Sequence, residues 1–148
     1  MNIFGERQHP EKFIPKIIRS LLNGQKILIH ADADKKVPGS RFWIHARNVA
    51  AAILFLVERG ETQDKYNIVG EREVNNLDIA LFVAEVMGKK LNYELVDFHS
   101  SRPGHDLRYS LDGEKMSKMG WRLPLTFEQS LEKTIRWTLE SRKWLDLP

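Results

Sequence analysis

The chain has 148 residues, of which 23 are basic and 20 are acidic, giving a formal net charge of +3. This mild basicity suits a small anionic ligand and is too diffuse to indicate nucleic-acid binding by itself. The chain contains no cysteine, which excludes disulfide scaffolds, thiolate metal sites and thiol nucleophiles. A hydrophobic fraction of 42% with four tryptophans excludes a disordered chain, and the length suits one domain with a substantial core.

No stretch of the sequence is apolar for long enough to cross a bilayer. The longest strongly apolar run, at 49–57, is far shorter than a membrane-spanning helix requires. The first residues also lack the apolar region of a secretory signal. We therefore expect no membrane association and a cytoplasmic location.

Hydrophobic periodicity and turn residues predict helices and short strands that alternate along the chain. In order, the pattern predicts a helix at 13–22, strands at 26–30 and 41–45, a helix at 46–59, a strand at 66–69, a helix that begins at 75–78 and stops at Gly88, a strand at 91–98, a short helix from 111 and a long helix at 127–144. The alternation is typical of α/β architecture, here a small mixed sheet with short strands and flanking helices. The helix at 46–59 is rich in Ala, Leu and Val, and we expect it to be buried on most sides.

Capping residues mark the starts of two predicted helices. Thr126 precedes the long helix, and an asparagine at 75 or 76 opens the helix that stops at Gly88. Such side chains accept hydrogen bonds from the amides of a first helical turn. We expect a single domain over 1–148, in which the polar segment 1–12 is a leading loop that follows something absent.

A dense polar motif, Arg-Pro-Gly-His-Asp-Leu-Arg-Tyr, occupies 102–109. It lies on a loop between a predicted strand and a predicted helix, where polar clusters often bind ligands. A guanidinium can hold a phosphate through two parallel hydrogen bonds, and the Pro-Gly turn allows Arg102 and His105 to point the same way. The motif indicates either an anion site or a solvated turn with a local Asp–Arg pair.

Further polar side chains at element ends and in loops add to this motif. Together they provide a grip for a diphosphate with a polar head group, and they are Asn2, Lys12, Arg41, Asn76, Arg102 and His105. Motifs for redox and hydrolytic chemistry are missing from the sequence: no Gly-rich phosphate loop, no Tyr followed four residues later by Lys, and no Ser in an elbow motif. The chain is therefore expected to bind a ligand without running redox chemistry.

His30, Asp32 and Asp34 alternate, which raises the question of a divalent metal site. Alternating side chains share a face only while a strand continues. The predicted strand ends at His30, so we interpret the following residues as a solvated loop and expect no metal.

Several longer motifs occur together along the chain. They are Asn-Ile-Phe-Gly-Glu-Arg-Gln-His-Pro-Glu-Lys-Phe-Ile-Pro at 2–15, Tyr-Asn-Ile-Val-Gly at 66–70, Asn-Leu-Asp at 76–78, the 102–109 motif and Met-Gly-Trp at 119–121. This set resembles the substrate-binding half of extended short-chain dehydrogenases/reductases, in particular nucleotide-sugar dehydratases and epimerases of the dTDP-glucose 4,6-dehydratase type. The resemblance covers nearly the whole chain, and the combination of Gln-x-Pro-Glu-Lys with Arg-Pro-Gly-His-Asp is specific.

The resemblance implies substrate-binding roles for eight residues and no catalytic, cofactor or metal ligand. The roles are Asn2, Lys12 and Phe13 against the sugar nucleotide, His30 at the base, Arg41 at the diphosphate, Asn76 beside the nucleotide, and Arg102 and His105 at the phosphate and ribose. The chain departs from the family at 41–48, which reads Arg-Phe-Trp-Ile-His-Ala-Arg-Asn, whereas the family commonly has Arg-Asp-Trp followed by an acidic helix start. It also has a histidine at position 30, where the family usually has an aromatic residue that packs on the base.

The resemblance also implies what lies outside this chain. Family members hold NAD in a Rossmann half that carries a Thr-Asp/Glu pair and a Tyr-x-x-x-Lys pair, and these catalytic motifs are not in this sequence. The complete enzyme would oxidise C4 of the sugar with NAD, eliminate water across C5–C6 and return the hydride. We expect a substrate-binding domain that binds no cofactor alone, associates with the missing Rossmann half in cis or in trans, and is inactive by itself.

Two other functions remain open at this point. A stand-alone nucleotide-sugar-binding or assembly module without catalysis would carry the same residues. The mild basicity also allows a nucleic-acid-binding module. An apolar face left by an absent half would promote self-association, so a homo-oligomer is a further expectation.

Overall fold

The computed structural model describes residues 2–61, 63–98 and 106–145. These residues contain six strands: β1 Asn2–Phe4, β2 Ile27–Ala31, β3 Ser40–His45, β4 Glu73–Asn75, β5 Tyr93–Asp97 and β6 Arg108–Tyr109. They also contain five α-helices and a 3-10 turn: α1 Phe13–Leu22, α2 Ala46–Arg59, α3 Asn76–Val86, α4 Glu114–Lys118, α5 Phe127–Glu140 and the turn Arg142–Trp144. The predicted α/β class is confirmed, and the long helix predicted to 144 ends at Glu140.

The strands form two small sheets within the described residues. β3 is the centre of the larger sheet, where it pairs in parallel with β1 and β6 and antiparallel with β4. β2 and β5 form a separate parallel pair. The single mixed sheet that the sequence predicts is therefore two sheets, because β2 and β5 bond to each other and not to β3.

The main core is built from apolar side chains of α1, α3 and α5 packed against the strands. The helical members of this core recur at helical spacing, and they are Ile14, Ile17, Ile18 and Leu21 of α1, Ile79 and Val83 of α3, and Leu131 and Ile135 of α5. Such spacing places apolar side chains on one face of each helix. The core thus fixes the three helices that support β3 and β4.

Two predicted helix caps are confirmed. The Thr126 hydroxyl accepts a hydrogen bond from the Gln129 amide, and the Gln129 side chain accepts one from the Thr126 amide, which makes a capping box. Asn75 caps α3 by accepting a hydrogen bond from the Asp78 amide at 2.8 Å. Each cap satisfies amides of a first helical turn and typically contributes about 1 kcal/mol.

Two predictions about local structure are wrong. The leading segment 1–12 is not a loop throughout, because Asn2–Phe4 pairs with β3 as strand β1. The predicted strand at 66–69 does not form, and the strand of this region is β4. A strand needs a main-chain partner, and within the described residues 66–69 has none in either sheet.

The prediction that α2 is buried on most sides is also wrong. Only Asn48 and Ala52 of this helix are buried, whereas Ile53, Leu54 and Val57 are 51%, 64% and 79% exposed. The helix packs on β3 with one face, and its outer face is apolar but open to solvent within the described residues. No helix in these ranges is both long enough and apolar enough to cross a membrane.

Candidate functional site

Three of the predicted site residues converge on Gly39, directly before β3. The Gly39 amide donates to the His30 carbonyl at 3.1 Å, and the Gly39 carbonyl accepts from the Asn76 amide at 2.8 Å. A Cβ atom at Gly39 would lie 3.0 Å from the Leu107 carbonyl oxygen and 3.5 Å from the side-chain nitrogen of Asn76, so glycine permits this close approach. Arg41 follows two residues later, and the structure therefore brings His30, Arg41 and Asn76 to the amino end of β3.

The Arg41 guanidinium donates three hydrogen bonds to main-chain carbonyls. Nη1 donates to the carbonyls of Ser40 and Leu107, both at 2.6 Å, and Nη2 donates to the Asp106 carbonyl at 2.7 Å. Burial lowers the pKa of Arg41 below its ordinary value, against the opposing effect of the Asp106 and Glu73 charges. An arginine remains charged at neutral pH all the same. The contacts of the described residues leave the Nε proton and one Nη2 proton for a further acceptor.

Glu73 connects β3, β4 and β6 through its carboxylate. Arg108 donates to both oxygens, from Nε to Oε1 and from Nη2 to Oε2, each at 2.8 Å. The Ser40 hydroxyl donates to Oε1 at 2.5 Å. The hydrogen bonds from Arg108 and from Ser40 lower the pKa of Glu73 to about 2. This ion network fixes β6 beside Arg41 on a partly exposed surface.

Two buried polar atoms in this region lack a hydrogen-bond partner among the described residues. They are Oδ1 of Asn76, an acceptor, and Nε1 of Trp43, a donor. Leaving such a group unpaired costs about 1–3 kcal/mol, and native proteins rarely do so. Trp43 lies two residues after Arg41 in β3, so the two side chains share a face of the strand. A bound water molecule or a polar ligand group would satisfy these two atoms.

The amino-terminal candidates lie around Trp43. Asn2 is its partner in the parallel β1–β3 register. The Phe13 ring stacks on Trp43 with centroids 5.8 Å apart and planes 30° apart. Lys12 is exposed at the start of α1 and makes no capping hydrogen bond. Asn2 and Phe13 are thus neighbours of Trp43, which lies two residues after Arg41 in β3, whereas Lys12 is exposed to solvent.

His30 and the 102–109 motif complete the set of candidates. His30 is half-buried in β2, and its ring lies 5.3 Å from that of Phe98. Arg102 and His105 lie outside the described residues. Asp106 and Leu107 follow them directly, and these are the residues whose carbonyls Arg41 holds.

Asp32 stabilises the loop before β3 through hydrogen bonds within that loop. Oδ1 of Asp32 accepts hydrogen bonds from the amides of Val37 and Lys36, at 3.0 and 2.7 Å, and these bonds lower the pKa of Asp32. Across the described ranges, no group of three or more His, Cys, Asp or Glu residues is placed to hold a metal ion.

A histidine–carboxylate pair lies at the other end of β3. Nε2 of His45 is 3.1 Å from the Glu6 carboxylate, and Nδ1 accepts a hydrogen bond from the Arg47 amide at 3.1 Å. Nδ1 therefore carries no proton, and the neutral ring donates from Nε2. Burial lowers the pKa of His45, although the Glu6 charge opposes the change. The His45 side chain is not exposed to solvent, and it caps α2. Its role is therefore structural.

Sequence reasoning missed Ser40, Glu73 and Trp43 as parts of this region. Arg108 lies inside the 102–109 motif, but its partner Glu73 is 35 residues away. Their contact depends on the register of β4 and β6 against β3, which no local spacing reveals. The sequence around Trp43 gave no indication that its ring stacks on Phe13, because the two residues are 30 positions apart.

Comparison with known proteins finds similar sequences and folds. Residues 1–69 match the model of the NAD dependent epimerase/dehydratase family. The chain is 34% identical over 151 residues to dTDP-glucose 4,6-dehydratase 1 of Escherichia coli (strain K12), a match that covers 98% of this chain and 41% of the relative.

Two solved structures have a similar fold. The dTDP-glucose 4,6-dehydratase of Bacillus anthracis in complex with NAD gives a TM-score of 0.82 and 31% identity over 97% of this chain and 44% of its own. The dTDP-glucose 4,6-dehydratase of Streptomyces venezuelae with NAD and TYD bound gives a TM-score of 0.81 and 32% identity over 98% of this chain and 44% of its own. The chain therefore spans less than half the length of these relatives. The resemblance predicted from the sequence agrees with these matches: the chain is similar to dTDP-glucose 4,6-dehydratases along nearly all of its own length.

Proposed function

We propose that the chain is the nucleotide-sugar-binding, carboxyl-terminal part of an NAD-dependent nucleotide-sugar 4,6-dehydratase or epimerase-like enzyme. The observation that carries this proposal is the similarity to dTDP-glucose 4,6-dehydratases, which extends over 98% of the chain. The main-chain contacts that place His30 and Asn76 beside Gly39, two residues before Arg41, support it, and these residue types suit the base, the polar edge and the diphosphate of a nucleotide.

The side chains around β3 would bind and orient the substrate. Arg41 would donate its remaining N–H groups to the diphosphate, where a charge-assisted hydrogen bond is stronger than a neutral one. Oδ1 of Asn76 would accept a hydrogen bond from the nucleotide, which relieves a buried and unpaired acceptor. Phe13 would provide an apolar wall, and Asn2 and Lys12 would lie toward the sugar. Arg102 and His105 would complete the phosphate and ribose contacts, with His30 at the base.

The remaining part of the complete enzyme would hold NAD and would supply the hydride chemistry. The sequence of this chain contains no Gly-rich phosphate loop and no Tyr-x-x-x-Lys pair, so we expect the chain alone to bind no cofactor and to be inactive.

Thermal-shift and calorimetric titrations with dTDP-glucose, UDP-glucose and GDP-glucose test the binding role. We expect at least one nucleotide sugar to raise the melting temperature of the wild-type chain, and Arg41→Ala to abolish most of that increase. Arg136→Ala is the matched control, since Arg136 forms a surface ion pair with Glu132 on α5. A wild-type chain that responds to none of the three ligands would contradict the proposal.

Other outcomes distinguish the remaining functions. Binding of a nucleotide sugar without any gain of activity when the complementary half is supplied favours a stand-alone binding module. Binding to DNA with a steep salt dependence favours a nucleic-acid-binding module. Formation of a 4-keto-6-deoxy sugar by this chain with NAD alone would contradict the absence of catalysis.

A further inference from the structure

The segment 5–12 connects two of the candidate binding residues. Asn2 lies in β1 before this segment, and Lys12 is its last residue, directly before α1. Lys12 is exposed, and its side chain makes no capping hydrogen bond to α1. The conformation of 5–12 therefore sets where Lys12 lies relative to Asn2.

The backbone of this segment has an uncommon conformation at Arg7. Its φ is 65°, in the left-handed region that residues other than glycine seldom adopt. Such residues persist only where surrounding contacts hold them, and they occur often at ligand sites. The Gln8 side chain donates to the Ile3 carbonyl at 2.9 Å. The Lys12 amide donates to the His9 carbonyl at 2.9 Å, so short contacts link Lys12 back to β1.

A cation–π contact joins Arg7 to the 3-10 turn that follows α5. The Arg7 guanidinium carbon lies 5.6 Å from the centroid of the Trp144 ring, within the range of such contacts. The Trp144 ring in turn lies 6.4 Å from the ring of Trp137 in α5, with planes 41° apart. The contact therefore holds the segment at the residue whose backbone conformation is least favourable.

A second contact joins the far end of the segment to the same turn. Nη2 of Arg19, in the last turn of α1, forms an ion pair with the Glu11 carboxylate at 2.5 Å. Nη1 of Arg19 donates to the Leu145 carbonyl at 3.5 Å. Leu145 is 3% exposed and belongs to the main core, so its position is fixed by packing. We refer to Arg7, Arg19, Trp144 and Leu145 as the clasp.

We propose that the clasp positions Lys12 for the nucleotide sugar, and that Arg7 is a positioning residue of the binding site. The proposal rests on the function proposed above. Arg7 holds the left-handed turn from which the segment runs to Lys12, and Arg19 holds Glu11 directly before Lys12. A segment that is already ordered loses less conformational freedom when its cation binds an anionic ligand, which raises the affinity.

Calorimetric titration tests this role, with whichever of dTDP-glucose, UDP-glucose and GDP-glucose raises the melting temperature of the wild-type chain most. We expect Arg7→Ala to weaken binding about three- to fivefold, the scale of an exposed cation–π contact. Arg7→Gly should also weaken binding, because glycine adopts a φ of 65° freely but lacks the guanidinium. Arg7→Lys keeps a cation over Trp144, so its affinity should lie within about twofold of the wild type. Arg59→Ala is the matched control, because Arg59 lies over the Phe55 ring at 5.4 Å in α2.

A double-variant cycle shows whether Arg7 acts through Lys12. Lys12→Ala should weaken binding, and adding Arg7→Ala should then have no further effect, because the group that Arg7 positions is gone. Amide exchange at 6–12 in the free chain should be faster in Arg7→Ala than in the wild type and unchanged in Arg59→Ala. The melting temperatures of these two variants should match, since both arginines are exposed, which separates lost positioning from unfolding.

Equal affinity of the wild type and Arg7→Ala, full affinity of Arg7→Gly, or additive losses in the double variant would each overturn the proposal. Unchanged exchange at 6–12 in Arg7→Ala would overturn it as well, because the contact would not order the segment. If the wild-type chain binds none of the three nucleotide sugars, the proposed function fails and the positioning role fails with it. Binding by the wild type without any loss in Arg7→Ala would contradict the clasp alone.

Discussion

The two halves of β3 differ in burial, in partners and in the forces that hold them. Ser40, Arg41 and Phe42 are half-exposed and border β4 and β6, whereas Trp43, Ile44 and His45 are buried and border β1. Charged hydrogen bonds dominate the first half, and apolar packing dominates the second. Six consecutive residues thus combine an exposed polar half, which would face the proposed ligand, with a buried half that fixes its position.

Truncating the buried half should have the largest effect. Trp43→Ala removes a side chain that is 5% exposed and that stacks on Phe13. Replacing a buried large aromatic residue by alanine typically lowers the free energy of unfolding by about 3–5 kcal/mol. Urea denaturation followed by circular dichroism measures this loss. A decrease below about 1 kcal/mol would show that the packing of the buried half does not anchor β3.

Lowering the pH should decrease the free energy of unfolding through His45, which lies in the buried half of β3. Burial lowers the pKa of this imidazole, so the unfolded chain, with a histidine pKa of about 6.5, takes up a proton at higher pH than the folded chain does. The contribution of His45 to stability is therefore complete above about pH 6.5 and is lost as the pH falls toward the lower folded pKa. Denaturation midpoints of the wild type and His45→Gln between pH 7.5 and 5 test this. The wild type should lose more stability than the variant, and parallel curves would contradict it.

Removing the charge of Glu73, which lies beside the exposed half of β3, should change local order more than global stability. Glu73→Gln removes the charge that pairs with Arg108, but exposed ion pairs contribute only about 0–1 kcal/mol. We expect a small decrease in the free energy of unfolding and faster amide exchange at 106–109. Because the pKa of Glu73 is lowered to about 2, the wild-type contribution should persist above about pH 4.5 and fade below it. Unchanged exchange at 106–109 would show that β6 is held without the carboxylate.

An ion pair outside β3 should have the smallest effect. Lys26 and Glu94 form a bridge of 3.0 Å between two side chains that are about half exposed. Lys26→Gln should change the free energy of unfolding by less than about 0.5 kcal/mol and leave exchange at 106–109 unaltered. A change in that segment would mean that the effect of Glu73→Gln is not specific to β3.

Features set by local physics were predictable from the sequence, and those set by distant contacts were not. The helices with clear periodicity and caps, such as α3 and α5, depend on residues within one or two turns. The strand at 66–69 was predicted from its local composition, but a strand also needs a main-chain partner from elsewhere in the chain, and within the described residues this segment has none. The exposure of α2 could not be read from its composition either, because an apolar helix looks the same whether or not its partner is present.

The candidate site likewise contains some residues that were predictable from the sequence and others that were not. Arg41 and Asn76 were predicted as polar residues at element ends, and the resemblance added His30; main-chain contacts place His30 and Asn76 beside Gly39, two residues before Arg41. The carboxylate that organises the exposed half, Glu73, depends on strand register and was missed. For Arg102 and His105 the motif remains the evidence, since they lie outside the described residues.

The hydrogen bonds from Arg41 to the carbonyls of Leu107 and Asp106 have a thermodynamic consequence. A single guanidinium would serve both the anion and the backbone that follows the 102–105 motif. If the bound anion reorients Arg41, the free energy of holding 106–107 changes by the same amount as the affinity changes when that backbone is released, because such coupling is reciprocal. Ligand affinity and backbone order at this place would then be two measurements of one equilibrium.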